Sequence, residues 1–272
     1  MPEVLNAVER EQIDYGFVAI ENTIEGTVNA TIDTLAFSSQ LLIQREVDIP
    51  IRMQLLGNAG TDLASINKVV SHTHALGQVR NWLADNLPGV EMHAETSTAE
   101  AIRLLAESGN SETAAVGNSL AGQLYGLDTI APDIEDHKGN VTRFALVTRE
   151  GLEPPTGHDK TSIVIFQRTD EPGSLGAILA EFSSRAINLT KLESRPTKTG
   201  LGDYCFIIDI EGHIADERVA DALKNVRAKK ADINFLGSYP AIGVDEHNVR
   251  EQANDAWNEA DEWIAKLRRH FS

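Results

Sequence analysis

From Tyr15 to Tyr125, short apolar runs rich in β-branched residues alternate with segments whose apolar residues recur at helical spacing. This rhythm narrows the possible folds more than any other feature of the chain. Tyr15–Ile20 reads as a buried strand, a polar burst follows, and Val28, Ile32 and Leu35 then share one helical face up to Phe37. The unit returns three times: Lys68–Ser71 before a helix over His74–Asn86, Val90–Ala94 before one over Ser97–Ser108, and Thr113–Val116 before one over Ser119–Tyr125. Such repetition predicts a parallel α/β sheet with helices on both faces. A helix over Glu3–Ile13 precedes the first strand. Leu41–Val47 and Ile51–Leu56 read as strands joined through Pro50, and a polar loop over Ile130–Asn140 leads into a strand over Thr142–Thr148. Crossings near residues 41–56 and 131–142 predict two lobes with a cleft between them, a usual place for a small ligand.

The pattern changes after residue 150. Residues 151–160 contain Pro154, Pro155 and Gly157 and read as a linker. Strand Thr161–Gln167, a helix opened by Pro172-Gly173-Ser174-Leu175, strands Asn188–Ser194 and Gly202–Ile210, helix Asp216–Ala228 and strand Ile233–Tyr239 give the order βαββαβ, which is ferredoxin-like. Residues 244–272 carry Ala256, Ala260, Trp263 and Leu267 near helical spacing and predict an amphipathic packing helix. The expected division is therefore 1–150, a linker at 151–160, 161–243, and an extension at 244–272.

Charge limits the partners. A formal net charge of -17 opposes binding to nucleic acid or anionic membranes, so an acidic substrate has to be drawn in by a local arginine, lysine or helix N-terminus. No apolar run approaches the length of a membrane span. The start, Met1-Pro2-Glu3-Val4-Leu5, lacks the basic and apolar regions of a secretory signal. Cys205 is the single cysteine, which fits a reducing cytoplasm, and its apolar neighbours predict a buried side chain. His72 and His74 have no cysteine or carboxylate pair beside them, so no metal is expected.

The polar burst Glu21-Asn22-Thr23-Ile24-Glu25-Gly26 has two readings on its residues alone. Thr23 and Glu25 could cap the following helix, or the amides of the turn could meet an anion.

Three stretches decide between them: Ala19-Ile20-Glu21-Asn22-Thr23-Ile24-Glu25-Gly26-Thr27-Val28, Ser71-His72-Thr73-His74-Ala75-Leu76-Gly77-Gln78, and Asn140-Val141-Thr142-Arg143-Phe144. In order and spacing they resemble prephenate dehydratase. Pro172-Gly173-Ser174-Leu175-Gly176 and Glu193-Ser194-Arg195-Pro196 are similar to the phenylalanine-binding motifs of that family's C-terminal ACT domain. The resemblance covers about residues 3–240. It implies a two-lobed catalytic domain like a type II periplasmic binding protein, followed by a ferredoxin-like ACT domain. It further implies decarboxylative dehydration of prephenate to phenylpyruvate without a cofactor, allosteric control by L-phenylalanine, and a dimer or tetramer assembled through ACT domains. Motif matching makes Thr142, Glu21 and Asn22 catalytic, with Thr142 donating to the leaving hydroxyl. It makes Thr23, Ser71, Gln78 and Arg143 substrate-binding, and Gly173, Ser174, Leu175, Gly176, Glu193, Ser194, Arg195 and Pro196 phenylalanine-binding.

Read as residues, Arg143 could fork a substrate carboxylate or pair with Glu135 or Asp136, Ser71 could cap the helix near His74, and Phe144 is expected in the core. The family's initial strand and G-P-x-G-T turn have no counterpart, which implies an N-terminally truncated dehydratase domain. Thr73 and His74 stand where the family commonly has Pro-Gln. The alternative activity is a non-catalytic phenylalanine-binding regulatory protein. The cleft alone suggests a third reading, a sensor of another acid.

Overall fold

The computed structural model describes residues 2–167, 171–197, 203–229, 231–243, 259 and 262–269. In chain order the elements are α1 (Pro2–Glu9), β1 (Gly16–Asn22), β2 (Gly26–Thr27), α2 (Asn29–Phe37), β3 (Leu42–Pro50), β4 (Gln54–Gly57), β5 (Lys68–His72), α3 (Thr73–Gly77), α4 (Arg80–Asn86), β6 (Glu91–Glu95), α5 (Thr98–Ser108), β7 (Thr113–Gly117), α6 (Ser119–Tyr125), β8 (Asp128–Ala131) and β9 (Val141–Thr148). The C-terminal part adds β10 (Asp159–Gln167), α7 (Ser174–Ser183), β11 (Leu189–Pro196), β12 (Tyr204–Glu211), α8 (Glu217–Lys229) and β13 (Ala231–Pro240). Residues 262–268 are helical, with Trp263 and Leu267 exposed; most of 244–261, including Ala256 and Ala260, lies outside the described residues.

The chain divides into two compact units. One comprises Met1–Asp48 with Arg143–Ser272, and the other Ile49–Thr142, so the chain passes between them at residues 48/49 and 142/143, inside or beside both expected crossings.

In the first unit one sheet has the order β2-β1-β9-β3, and a second has the order β11-β12-β10-β13. The second sheet is antiparallel throughout its β10–β12, β10–β13 and β11–β12 pairs, as βαββαβ predicts. Side chains alternate across β10: Ile163 and Ile165 pack with Ile178, Phe182, Val219 and Val226 of α7 and α8. Val164 points the other way, with Cys205, Ile207, Leu236 and Tyr239, into one core with Val18, Ile20, Ile43 and Val147 of the first sheet. The βαββαβ sheet is therefore apolar on both faces, and its second face is covered by the first sheet. Their approach is tight at Gly237, where φ is 144° and a Cβ would strike the Ile43 carbonyl oxygen. A register shift at Ser162/Ile163 accompanies this glycine. Cys205 is fully buried, and burial pushes its thiol up.

The second unit departs from the expected all-parallel sheet. Its order is β6-β5-β7-β4-β8; β5 runs parallel to β6 and β7, but β4 is antiparallel to β7 and β8. The parallel strands are those joined by helical crossovers, whereas β4 arrives along the crossing segment with no helix to set its direction. β8 occupies residues where a loop was expected to begin. The single helix expected over His74–Asn86 is two, because Asp136 Oδ2 and Oδ1 accept the amides of Asn81 and Trp82, each at 2.9 Å, and give α4 its own start. Likewise α1 stops at Glu9, short of Ile13; Glu11 has φ 58°.

Candidate functional site

The motif residues are distributed over both units. In the first, β1 ends at Glu21 and Asn22, and β2 folds straight back on it, pairing Glu21 with Thr27 and Asn22 with Gly26. The polar burst is thus a tight hairpin closed by Gly26 at φ 77°, and α2 starts only at Asn29. Asn22 Oδ1 accepts the amides of Ile24 at 2.9 Å and Glu25 at 3.1 Å. Asn22 therefore holds two amides of this turn that an anion could have used, and Val28, the N-cap of α2, has no side-chain cap bond, so the turn does not cap that helix as the residues alone suggested. Thr23 is exposed at the tip.

Arg143 dominates the electrostatics here. Its Nε and Nη2 donate to the two oxygens of Asp48 at 2.8 and 2.9 Å, a bidentate fork. Glu46 Oε2 lies 3.7 Å from Nε, and Glu21 Oε2 lies 3.8 Å from Nη1. The Asp48 hydrogen bonds hold the Arg143 pKa above its ordinary value, and the same bonds hold the Asp48 carboxyl below its own. The expected structural partners of Arg143 are corrected. Glu135 instead meets Arg52 and the Met53 amide, each at 3.0 Å, and Asp136 caps α4. Both belong to the second unit, whereas Arg143 belongs to the first. Phe144 is half-buried rather than core, stacked at 4.8 Å on the exposed ring of Phe17.

Around this arginine lie residues that motif reading did not find. Glu46 and Asp48 share one face of β3 by alternation. The buried Lys160 of β10 donates to Glu46 Oε2 at 2.7 Å, and Tyr239 Oη donates to Glu46 Oε1 at 3.0 Å. Ser162 links Tyr239, at 2.6 Å, to Asp209, at 2.5 Å. Burial and the neighbouring Glu46 and Asp209 push the Tyr239 phenol well up. Lys191 stands 3.9 Å from Glu21 and 3.8 Å from Glu193. A polar pocket is lined by Glu21, Glu46, Arg143, Lys160, Lys191 and Asp209, among others. The signal available in sequence was the pair Glu46 and Asp48 on one strand face, since paired carboxylates are rarely buried without cations.

In the second unit Ser71 is fully buried at the end of β5 and donates to the Val116 carbonyl at 2.8 Å. It does not cap α3; His72 does, its Nδ1 accepting the His74 amide at 3.3 Å. The rings of His72 and His74 stack, and among the described residues no three His, Cys, Asp or Glu side chains gather to hold a metal. Gln78 closes α3; its Oε1 accepts from Asn140 Nδ2 at 3.1 Å, and its carbonyl accepts the Asp136 amide at 2.8 Å. Thr142 is half-buried on β9, the last residue of this unit and the neighbour of Arg143.

The C-terminal motifs also have definite places. Gly173, at φ 89°, is the N-cap of α7, Ser174 Oγ accepts from Gln167 Nε2 at 2.7 Å, and Leu175 and Gly176 fill the first turn. On β11, Glu193 and Arg195 face the first sheet: Glu193 Oε2 accepts from Thr27 Oγ1 at 2.6 Å, and Arg195 meets Asn29 at 2.7 Å and Asp33 at 2.5 Å. Burial raises the Glu193 carboxyl, but Thr27 and Arg195 outweigh it and the net direction is down. Ser194 and Pro196 are exposed on the opposite face.

The family model "Prephenate dehydratase" matches residues 1–152, and the model "ACT domain" matches residues 161–228. A prephenate dehydratase of Amycolatopsis methanolica is 40% identical over 272 residues, covering 99% of this chain and 88% of its own. The crystal structure of an Arthrobacter aurescens prephenate dehydratase in complex with L-Phe superposes with a TM-score of 0.85 at 37% identity, covering 99% of this chain and 89% of that one. A solved structure described as a novel type of quorum quenching acylase superposes at 0.77 with 28% identity, covering 89% and 87%. Among the described residues no helix is long and apolar enough to cross a membrane.

Proposed function

Because this chain belongs to the prephenate dehydratase family, we propose that it converts prephenate to phenylpyruvate, carbon dioxide and water, and that L-phenylalanine binding to its ACT domain regulates the reaction. Residues 1–150 form the dehydratase domain, 151–160 the linker and 161–243 the ACT domain. Residues 244–272 form a C-terminal extension, and the ACT domains join copies of the chain into a dimer or tetramer.

The chemistry sets the demands. The bond to the ring carboxylate breaks, its electron pair enters the ring, and the ring C–O bond breaks with its pair leaving on the hydroxyl oxygen, which a hydrogen-bond donor stabilises as it departs and which takes a proton from solvent to become water. Aromatisation drives the step, but hydroxide is a poor leaving group unless a donor reaches it. Thr142 is assigned that donor role, by hydrogen bonding rather than full proton transfer. Arg143 is assigned a substrate carboxylate. One observation carries this: Asp48 takes only Nε and one N–H of Nη2, so a guanidinium with five N–H groups keeps its Nη1 end for a second carboxylate. Glu21, near that end, orients the guanidinium. Asn22 shapes the hairpin that presents Thr23. Gln78 keeps the substrate-binding role of its motif, whereas Ser71, whose proton goes to the Val116 carbonyl, is assigned to holding β5 against β7.

The test is formation of phenylpyruvate from prephenate by the purified chain, with and without L-phenylalanine. Turnover that changes with phenylalanine is expected. Phenylalanine binding without turnover would establish the regulatory, non-catalytic reading instead. Thr142→Ala should lower kcat by about ten- to a hundredfold with an unchanged melting temperature; full activity in that variant would remove Thr142 from its role.

A further inference from the structure

Three carboxylates surround the one guanidinium of Arg143: Asp48 in the fork, Glu46 at 3.7 Å and Glu21 at 3.8 Å. Left so, the group is net negative and would repel a dianion. The geometry also poses a competition. The Glu46 oxygen nearest Arg143 is Oε2, the same oxygen that Lys160 Nζ approaches to 2.7 Å. The Glu46 side chain is only 1% exposed, so water cannot stabilise its charge and it requires a cation. Lys160 wins that oxygen, and Arg143 is left to Asp48. The other Glu46 oxygen accepts from Tyr239, and Asp209 stands 3.5 Å from Lys160 as its second anion. On the remaining side Lys191 faces Glu21 at 3.9 Å.

We propose that Lys160, on β10 where the linker runs into the ACT sheet, is a positioning residue for substrate binding: by holding Glu46 it keeps the Arg143 guanidinium in the Asp48 fork with its Nη1 end available to a substrate carboxylate. Without Lys160 the buried Glu46 draws Arg143 about an ångström toward itself, out of the fork. The strand that leads from the linker into the ACT sheet thus supplies part of the electrostatic setting of the substrate arginine, through a side chain that touches no substrate. This rests on the reading that Arg143 binds a substrate carboxylate.

The experiment is steady-state kinetics on the full-length chain with prephenate. Lys160→Met should raise KM about tenfold with kcat within about twofold. Lys160→Arg, which keeps the charge, should stay near wild type. In the double variant Lys160→Met/Glu46→Gln the competing carboxylate is gone, and KM should return to within about threefold of wild type. An unchanged KM in Lys160→Met, or a double variant no better than the single one, overturns the proposal. Glu46→Gln alone tests the same point where Lys160→Met fails to fold: KM should hold, and a tenfold rise would overturn the proposal. Arg143→Gln separates the two levels. If it leaves KM unchanged, the assignment of Arg143 itself fails; if it raises KM while Lys160→Met does not, only the role of Lys160 fails.

Discussion

In the first unit Arg143 is gripped by Asp48 with Glu46 and Glu21 at 3.7 and 3.8 Å, whereas in the second unit Ser71 and Gln78 are held by neutral hydrogen bonds, to the Val116 carbonyl and from Asn140. The contrast separates two kinds of motif residue. A guanidinium among carboxylates is oriented and still retains donors for a ligand. A hydroxyl has one proton, and that of Ser71 is already given to a main-chain carbonyl. The first unit gathers charged side chains around one guanidinium; the buried serine of the second unit holds strand β5 against β7. The units also differ in how they are built. The first fuses two sheets through one core, and the second is a single sheet with its own helices.

The largest expected effect tests that difference in construction. Gly237→Ala places a methyl group against the Ile43 backbone at a φ of 144° that alanine rarely adopts. Neither a strand backbone nor its neighbour can move aside locally, so the first unit should lose about 3 kcal/mol. Hydrogen exchange resolves it: protection should fall in β3, β10 and β13 and persist in β5 and β7. Equal loss in all five strands would mean that the two units share one cooperative transition.

The same contrast explains what could be read in the sequence. The strand-helix rhythm and the βαββαβ order were legible because apolar period reports burial, and burial follows local conformation. Asn22 as the holder of the turn's amides was not, because β2 is two residues long, too short to leave a period. The direction of β4 was not, because it depends on the side from which the crossing delivers the strand. Lys160 and Glu46 are 114 residues apart, and nothing local in either marks the other. Thr142 and Arg143 were legible as motif residues, but the grip of Asp48 on Arg143 needed the fold.

Ser71→Ala sharpens the comparison at a smaller scale. It leaves the Val116 carbonyl without its donor in a dry strand end, at a cost of about 1.5 kcal/mol. The expected signature is a lowered melting temperature with KM for prephenate within about twofold of wild type. A large rise in KM with unchanged stability would show that the hydroxyl serves substrate, and would bring Ser71 into the same class as Arg143.

The smallest effect compares one carboxylate from each unit in acid. Burial pushes Glu135 up, but the Met53 amide and Arg52 outweigh it, so its folded pKa lies below its ordinary 4.5. Asp48 lies below its ordinary 3.8 because of the Arg143 fork. A carboxyl depressed on folding adds stability that is fully present above its unfolded pKa and is lost as pH falls through the folded one. Glu135→Gln should therefore cost less than about 1 kcal/mol at pH 7, since Arg52 is half exposed and finds water. Urea midpoints of variant and wild type should converge as pH falls below 4.5. Asp48→Asn should show the same convergence, but beginning only below 3.8. Midpoints that stay parallel down to the acid limit would mean that neither carboxylate is held by charge, and the electrostatic account of Arg143 would lose its support.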